Sequence, residues 1–113
     1  MNIETLTVKN TKVIRLKGRL DATNAPDLEK ELKPIIENTM GTLLINMKDL
    51  DYISSAGLRT LLLGAKLLKN KGGTLALCNL QDAVKEVFDI AGFTELFPVY
   101  ASEEEGLEGT TSP

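Results

Sequence analysis

Thr42-Leu43-Leu44-Ile45-Asn46-Met47-Lys48-Asp49-Leu50-Asp51-Tyr52-Ile53-Ser54-Ser55-Ala56-Gly57-Leu58 is the stretch whose reading decides the fold. Its first half, after Gly41, is a nearly continuous apolar run over 42–47. That pattern predicts a strand buried on both faces of a sheet. Its second half changes period. From Ser55 to about Asn70, Leu58, Leu61, Leu62, Ala65 and Leu68 recur at helical spacing and share one face. A buried strand that passes directly into a helix is half of a β-α-β unit, so a parallel partner strand is expected next.

Downstream, the pattern repeats. Lys69-Asn70-Lys71 before Gly72-Gly73 is a helix stop, with a basic last turn followed by glycine. Thr74-Leu75-Ala76-Leu77-Cys78 is the expected buried strand. A third helix runs from about Gln81 to Ala91 with Val84, Val87, Phe88 and Ala91 inward, and Gly92 ends it. Phe97-Pro98-Val99-Tyr100 is a short strand, and Pro98 confines it to an edge. Ser102 with Glu105 three residues later is a capping box for a last short helix, whose Glu103-Glu104-Glu105 is read as solvated.

Upstream, Ile3, Leu6 and Val8, then Val13, Ile14 and Leu16, form two strands joined by a turn at Asn10-Thr11, a hairpin. Gly18-Arg19-Leu20-Asp21 closes it. A first helix begins near Thr23-Asn24 with Pro26 and Asp27 in its first turn, and Leu28, Leu32, Ile35 and Ile36 face inward. Pro34 is expected to kink or interrupt that helix. The order is β-β-α-β-α-β-α-β-α. It predicts an α/β fold with a mixed, mostly parallel sheet of about four to five strands, about four helices and an N-terminal hairpin. Residues 1–109 form one domain, and 110–113 are expected to be a flexible tail.

Composition narrows the function classes. The 113 residues are 42% hydrophobic and 26% charged, enough apolar side chain for a real core. The net charge is −3, and lysine and arginine are scattered, so no basic face for a nucleic-acid backbone is expected. Neither a membrane-surface helix nor an apolar run long enough to span a bilayer is present. The N-terminal residues lack a secretory pattern and Cys78 has no disulfide partner in the chain, which points to a reducing, cytoplasmic location. There is no histidine. That removes the commonest general base, most catalytic triads and most zinc sites. No catalytic residue, cofactor or metal ligand is assigned.

The candidate site lies where the central strand hands over to its helix, the edge of an open α/β sheet where ligands and partners meet the fold. Serine at a helix start can accept hydrogen bonds from the first-turn amides, so Ser54-Ser55 can be a simple N-cap. The same position suits a phosphate, because free N–H donors and the positive dipole end favour negative charge. Ala56 and Gly57 are small enough to let a partner surface approach. Asp21 and Asp49 either flank that surface or serve as turn and loop-capping residues. Asp51 reads as solvated. Arg59 and Thr60 should be exposed and either touch a partner or belong to a solvated face. Tyr52 and Phe88 read as core, and Cys78 as a small packed hydrophobe.

Tyr52-Ile53-Ser54-Ser55-Ala56-Gly57-Leu58, after Ile45-Asn46-Met47-Lys48-Asp49-Leu50, resembles the signature of STAS domains, the anti-sigma factor antagonists. Gly18-Arg19-Leu20-Asp21, Gly72-Gly73-Thr74-Leu75-Ala76-Leu77-Cys78 and Val84-Lys85-Glu86-Val87-Phe88-Asp89-Ile90-Ala91-Gly92-Phe93 resemble its other segments in the right order. The resemblance implies a phosphorylation switch at Ser55, with Ser54 as the alternative acceptor. The partners it implies are an anti-sigma factor with serine kinase activity and a metal-dependent serine phosphatase. Asp21, Asp49, Ser54, Ser55, Ala56, Gly57 and Arg59 become the candidate partner-binding residues. The chain departs from the pattern at Ser54, where such domains often carry an aspartate. The rival reading is an unphosphorylated STAS scaffold or accessory subunit of a transporter or signalling assembly.

Overall fold

The chain opens on a hairpin: β1 (Asn2–Val8) pairs antiparallel with β2 (Thr11–Leu20). Val8 faces Thr11, so the two-residue turn is Lys9-Asn10, one position earlier than the sequence pattern indicates. Both turn residues adopt positive φ, 50° and 67°, the twist a tight hairpin requires. The computed structural model describes residues 1–111. The remaining elements are α1 (Ala25–Glu37), β3 (Thr42–Ile53), α2 (Ser55–Asn70), β4 (Thr74–Cys78), α3 (Asp82–Ala91), a 3₁₀ turn at Thr94–Leu96, β5 (Val99–Tyr100) and α4 (Glu103–Thr111).

The sheet order is β1-β2-β3-β4-β5, and every pairing after the hairpin is parallel. The expected α/β class, hairpin and edge strand at Val99–Tyr100 are all present. The first half of β3, through Met47, is buried because both of its faces are covered. Leu43, Ile45 and Met47 join the larger core with α1, α2 and α3, whereas Leu44 joins a smaller one of Val13, Ala76, Cys78 and Leu107, roofed by α4. In the larger core, the Phe88 and Phe97 rings meet edge to face, with centroids 5.9 Å apart.

Several elements depart from the sequence expectation. β2 and β3 run four and six residues beyond their apolar runs, because register shifts near Lys17 and Gly18 let polar residues continue the ladder. Helix α1 passes through Pro34 unbroken. The proline is exposed near the helix end, where its missing N–H faces solvent, and Leu32 and Ile36 anchor the helix on either side of it. Lys71 serves two helices: its backbone is the C-cap of α2, and its Nζ donates to the carbonyls of Ile36 and Glu37 at the end of α1 and of Thr39 just after it. Ala91 is exposed, at the last position of α3 before Gly92 turns the chain at φ 74°.

Glu103 is not a solvated cap. It accepts from Arg15 Nε at 3.1 Å and Nη2 at 2.9 Å, and from Asn46 Nδ2 at 3.0 Å, tying α4 to the sheet. The capping box forms, with Glu105 N donating to Ser102 Oγ and the Glu105 carboxylate reaching back to Ala101 N. With its start capped and Leu107 buried, α4 extends to Thr111, over part of the expected tail. Residues 112–113 of that tail lie outside the described residues. Among the described residues, no helix is long and apolar enough to cross a membrane.

Candidate functional site

Leu20 and Ile53 are register partners at the ends of β2 and β3, and both are buried. The chain then turns at once. Ser54 N donates to Leu20 O at 2.9 Å, which fixes the last residue of the strand ladder before α2 begins. Ser54 is extended (φ −95°, ψ 171°), and its Oγ accepts from Gly57 N at 3.2 Å. It is therefore the N-cap of α2. Ser55 is the first helical residue and is exposed. The two serines thus divide the roles that sequence leaves open: Ser54 satisfies the helix, and Ser55 keeps an uncommitted hydroxyl. A cap needs only a short side-chain acceptor, so Ser54 can replace an aspartate there without loss of that bond.

Gly57 is buried, contrary to its expected place on a partner surface. Its small size serves an internal contact. A Cβ there would lie 2.7 Å from Leu20 Cγ and 3.0 Å from Ile53 Cγ1, so glycine lets the first turn of α2 rest on the strand ends. Ala56 is half-buried against the same core. Thr60 is also buried, and its Oγ1 donates to Ala56 O at 3.2 Å. The outward stripe of α2 is Ser55, Arg59 and Leu63. Leu63 is an exposed apolar residue that periodicity alone does not single out.

Asp21 joins this site from the neighbouring loop. Its Oδ1 accepts from Thr23 N and Thr23 Oγ1, while Asp21 N donates to Asn24 Oδ1 and Asn24 Nδ2 donates to Arg19 O. The Thr23 donors hold its carboxyl below the usual aspartate range. The turn-residue role considered for Asp21 is therefore filled, next to Leu20 and hence next to Ser54. Asn24 spends its side chain on this loop and does not cap α1.

Asp49 does not reach the site. β3 continues past it, so it faces Lys17 in the ladder and stands four residues, or roughly 13 Å, before the strand ends. It borders a cleft of about 360 Å³ with Arg15, Asn46 and Glu103 on the α4 side of the sheet.

Tyr52 is not core: it is 40% exposed, with the Arg19 guanidinium 4.3 Å from its ring centroid. The two residues are register partners one step before Leu20 and Ile53, so they project from the opposite face at the same edge. Continuing β3 through Ile53 would have revealed this, since a residue next to a buried strand position points the other way.

Removing the cap separates the two serines experimentally. Ser54→Ala should lower stability by about 1 kcal/mol, and Ser55→Ala by less than about 0.5 kcal/mol. Urea denaturation of both variants checks this ordering.

A STAS domain family model matches residues 2–106. BtrV of Bordetella bronchiseptica, named as an anti-sigma factor antagonist, is 45% identical over 79% of this chain and 77% of its own. The anti-sigma-B factor antagonist of Bacillus subtilis is 31% identical over 96% of this chain and 98% of its own. Among solved structures, the anti-sigma factor antagonist SpoIIAA in its unphosphorylated form superposes with a TM-score of 0.81 at 26% identity, over 95% of this chain and 94% of that one.

Proposed function

Because this chain belongs to the STAS domain family, we propose that it is an anti-sigma factor antagonist whose hold on an anti-sigma factor with serine kinase activity is released by phosphorylation of Ser55. The family consists of regulatory binding proteins and not enzymes, so the covalent chemistry belongs to the partners. The kinase transfers the terminal phosphoryl group of ATP to Ser55 Oγ, and a metal-dependent serine phosphatase hydrolyses the ester. Both relatives carry the name anti-sigma factor antagonist, and SpoIIAA is described by its phosphorylation state. The pathway is assigned to the cytoplasm.

The observation that carries this reading is the exposure of Ser55 at the first position of α2 while Ser54 does the capping. A phosphate there meets unsatisfied amide donors and the positive end of the helix dipole, so the domain tolerates it. An anti-sigma surface packed on Ser55, Arg59, Leu63 and the Asp21 turn would instead have to desolvate about two negative charges. The folded domain persists and the complex does not.

The test is incubation with the cognate kinase and ATP, read by intact mass and fragment mapping. About one phosphate is expected, on Ser55, and Ser55→Ala should take none. Full labelling of Ser55→Ala, or a pull-down that recovers transporter components and no kinase, overturns the proposal.

A further inference from the structure

Helix α2 carries no acidic residue anywhere along Ser55–Asn70. The other three α-helices each have an acid in the first turn. The positive end of α2 is therefore uncompensated, and the sequence adds a cation close to it, Arg59. Arg59 is exposed and makes no hydrogen bond or ion pair among the described residues. By contrast, Arg15 is held by Glu4 and Glu103, and Arg19 lies over Tyr52. Arg59 stands four residues after Ser55 on one face of a continuous helix, which brings the two side chains within about 5–6 Å at Cβ. The order, anion first and cation one turn later, is the favourable one for such a pair.

We propose that Arg59 captures the phosphate on Ser55, so that phosphorylation both adds charge to the partner-binding face and withdraws the one free guanidinium of its outward stripe, Ser55-Arg59-Leu63. A guanidinium fork can engage two phosphate oxygens, which fixes the phosphate along the helix. Unphosphorylated, Arg59 is available to an acceptor on the partner. Phosphorylated, it is occupied within the chain. Two carboxylates stand on neighbouring elements: Asp21, whose Oδ1 is already engaged by Thr23, and Glu29 of α1, which shares a groove with Thr60 and Leu63 and pairs with Lys33 at 3.7 Å, so neither is bonded to Arg59.

This inference rests on Ser55 being the phosphorylated residue, but its test does not depend on the kinase. Phosphoserine is installed at position 55 of the full chain by genetic encoding. The phosphate is then titrated by ³¹P NMR, while the Arg59 Nε–H is followed by ¹⁵N NMR. In the wild-type background the Arg59 Nε–H should shift and become protected when residue 55 carries phosphate. Arg59→Gln should raise the phosphate titration midpoint by about half a pH unit, Arg59→Lys by less, and Lys66→Gln should leave it unchanged. An unshifted Nε–H, or a midpoint indifferent to Arg59→Gln, overturns the inference even if the kinase does label Ser55. A kinase that ignores Ser55 overturns the switch without altering this measurement.

Discussion

Ser55→Asp should weaken binding to the anti-sigma partner by about a hundredfold while leaving the domain as stable as wild type or slightly more so. The two effects have opposite signs because one charge meets two environments. In the free domain, the carboxylate sits at the first position of a helix with no acidic residue in its first turn, where it gains about 0.3–1 kcal/mol from the dipole and the open amides. In the complex it loses water without gaining a partner on the anti-sigma surface, and Arg59, engaged within the chain, is lost to that surface. A charge buried at an interface without a partner across it costs about 2–5 kcal/mol, so a hundredfold loss lies near the low end of that range. Ser55→Asn, similar in size and uncharged, should keep affinity within about threefold. Isothermal titration against the purified anti-sigma factor, with thermal melts of each free variant, measures both signs. Affinity for Ser55→Asp equal to wild type would remove charge as the basis of the switch.

The parts of this structure that the sequence reveals are those set by local period. The run 42–47 reads as a two-faced strand because Leu43, Ile45 and Met47 enter one core and Leu44 enters the other. The stripe of α2 is visible because Leu58, Leu61 and Leu68 are buried at helical spacing. What stays hidden depends on pairing between distant segments. Glu103 looks like any acidic helix start until Arg15, 88 residues away, is found beside it. The extension of β3 through Asp49 and Tyr52 depends on register shifts against β2, which have no local signature. This one omission accounts for two misplacements, Asp49 beside the serine and Tyr52 in the core. The handover from strand to helix is legible from patterning, since an apolar two-faced run passes into a helical stripe. The division of labour between Ser54 and Ser55 is not, because either serine satisfies the capping preference and only the extended backbone of Ser54 decides between them.

The second large effect concerns Cys78, which should be alkylated by iodoacetamide at pH 8 about a thousandfold more slowly than an ordinary thiol. Cys78 ends β4 inside the smaller core, beneath α4 with Val13, Leu44, Ala76 and Leu107. Burial, and then the nearby Glu103 carboxylate, push its thiol up to about 12, partly opposed by Arg15. At pH 8 that leaves roughly one thiolate in ten thousand, against about one in ten for an ordinary value of 9.0. Fast reaction therefore requires α4 to lift. Glu103 is the polar tie that opposes this, with two bonds from Arg15 and one from Asn46. Glu103→Ala removes all three and should cost about 2 kcal/mol, which speeds alkylation roughly thirtyfold. The same residue sets an acid dependence. Arg15 first, then Asn46, hold the Glu103 carboxyl below its ordinary 4.5, so its contribution is complete above that pH and is lost as pH falls through the lower folded value. Wild-type stability should therefore fall in acid more steeply than that of Glu103→Ala. A wild-type alkylation rate near that of a free thiol, or one unchanged by Glu103→Ala, would mean that α4 does not guard this face of the sheet.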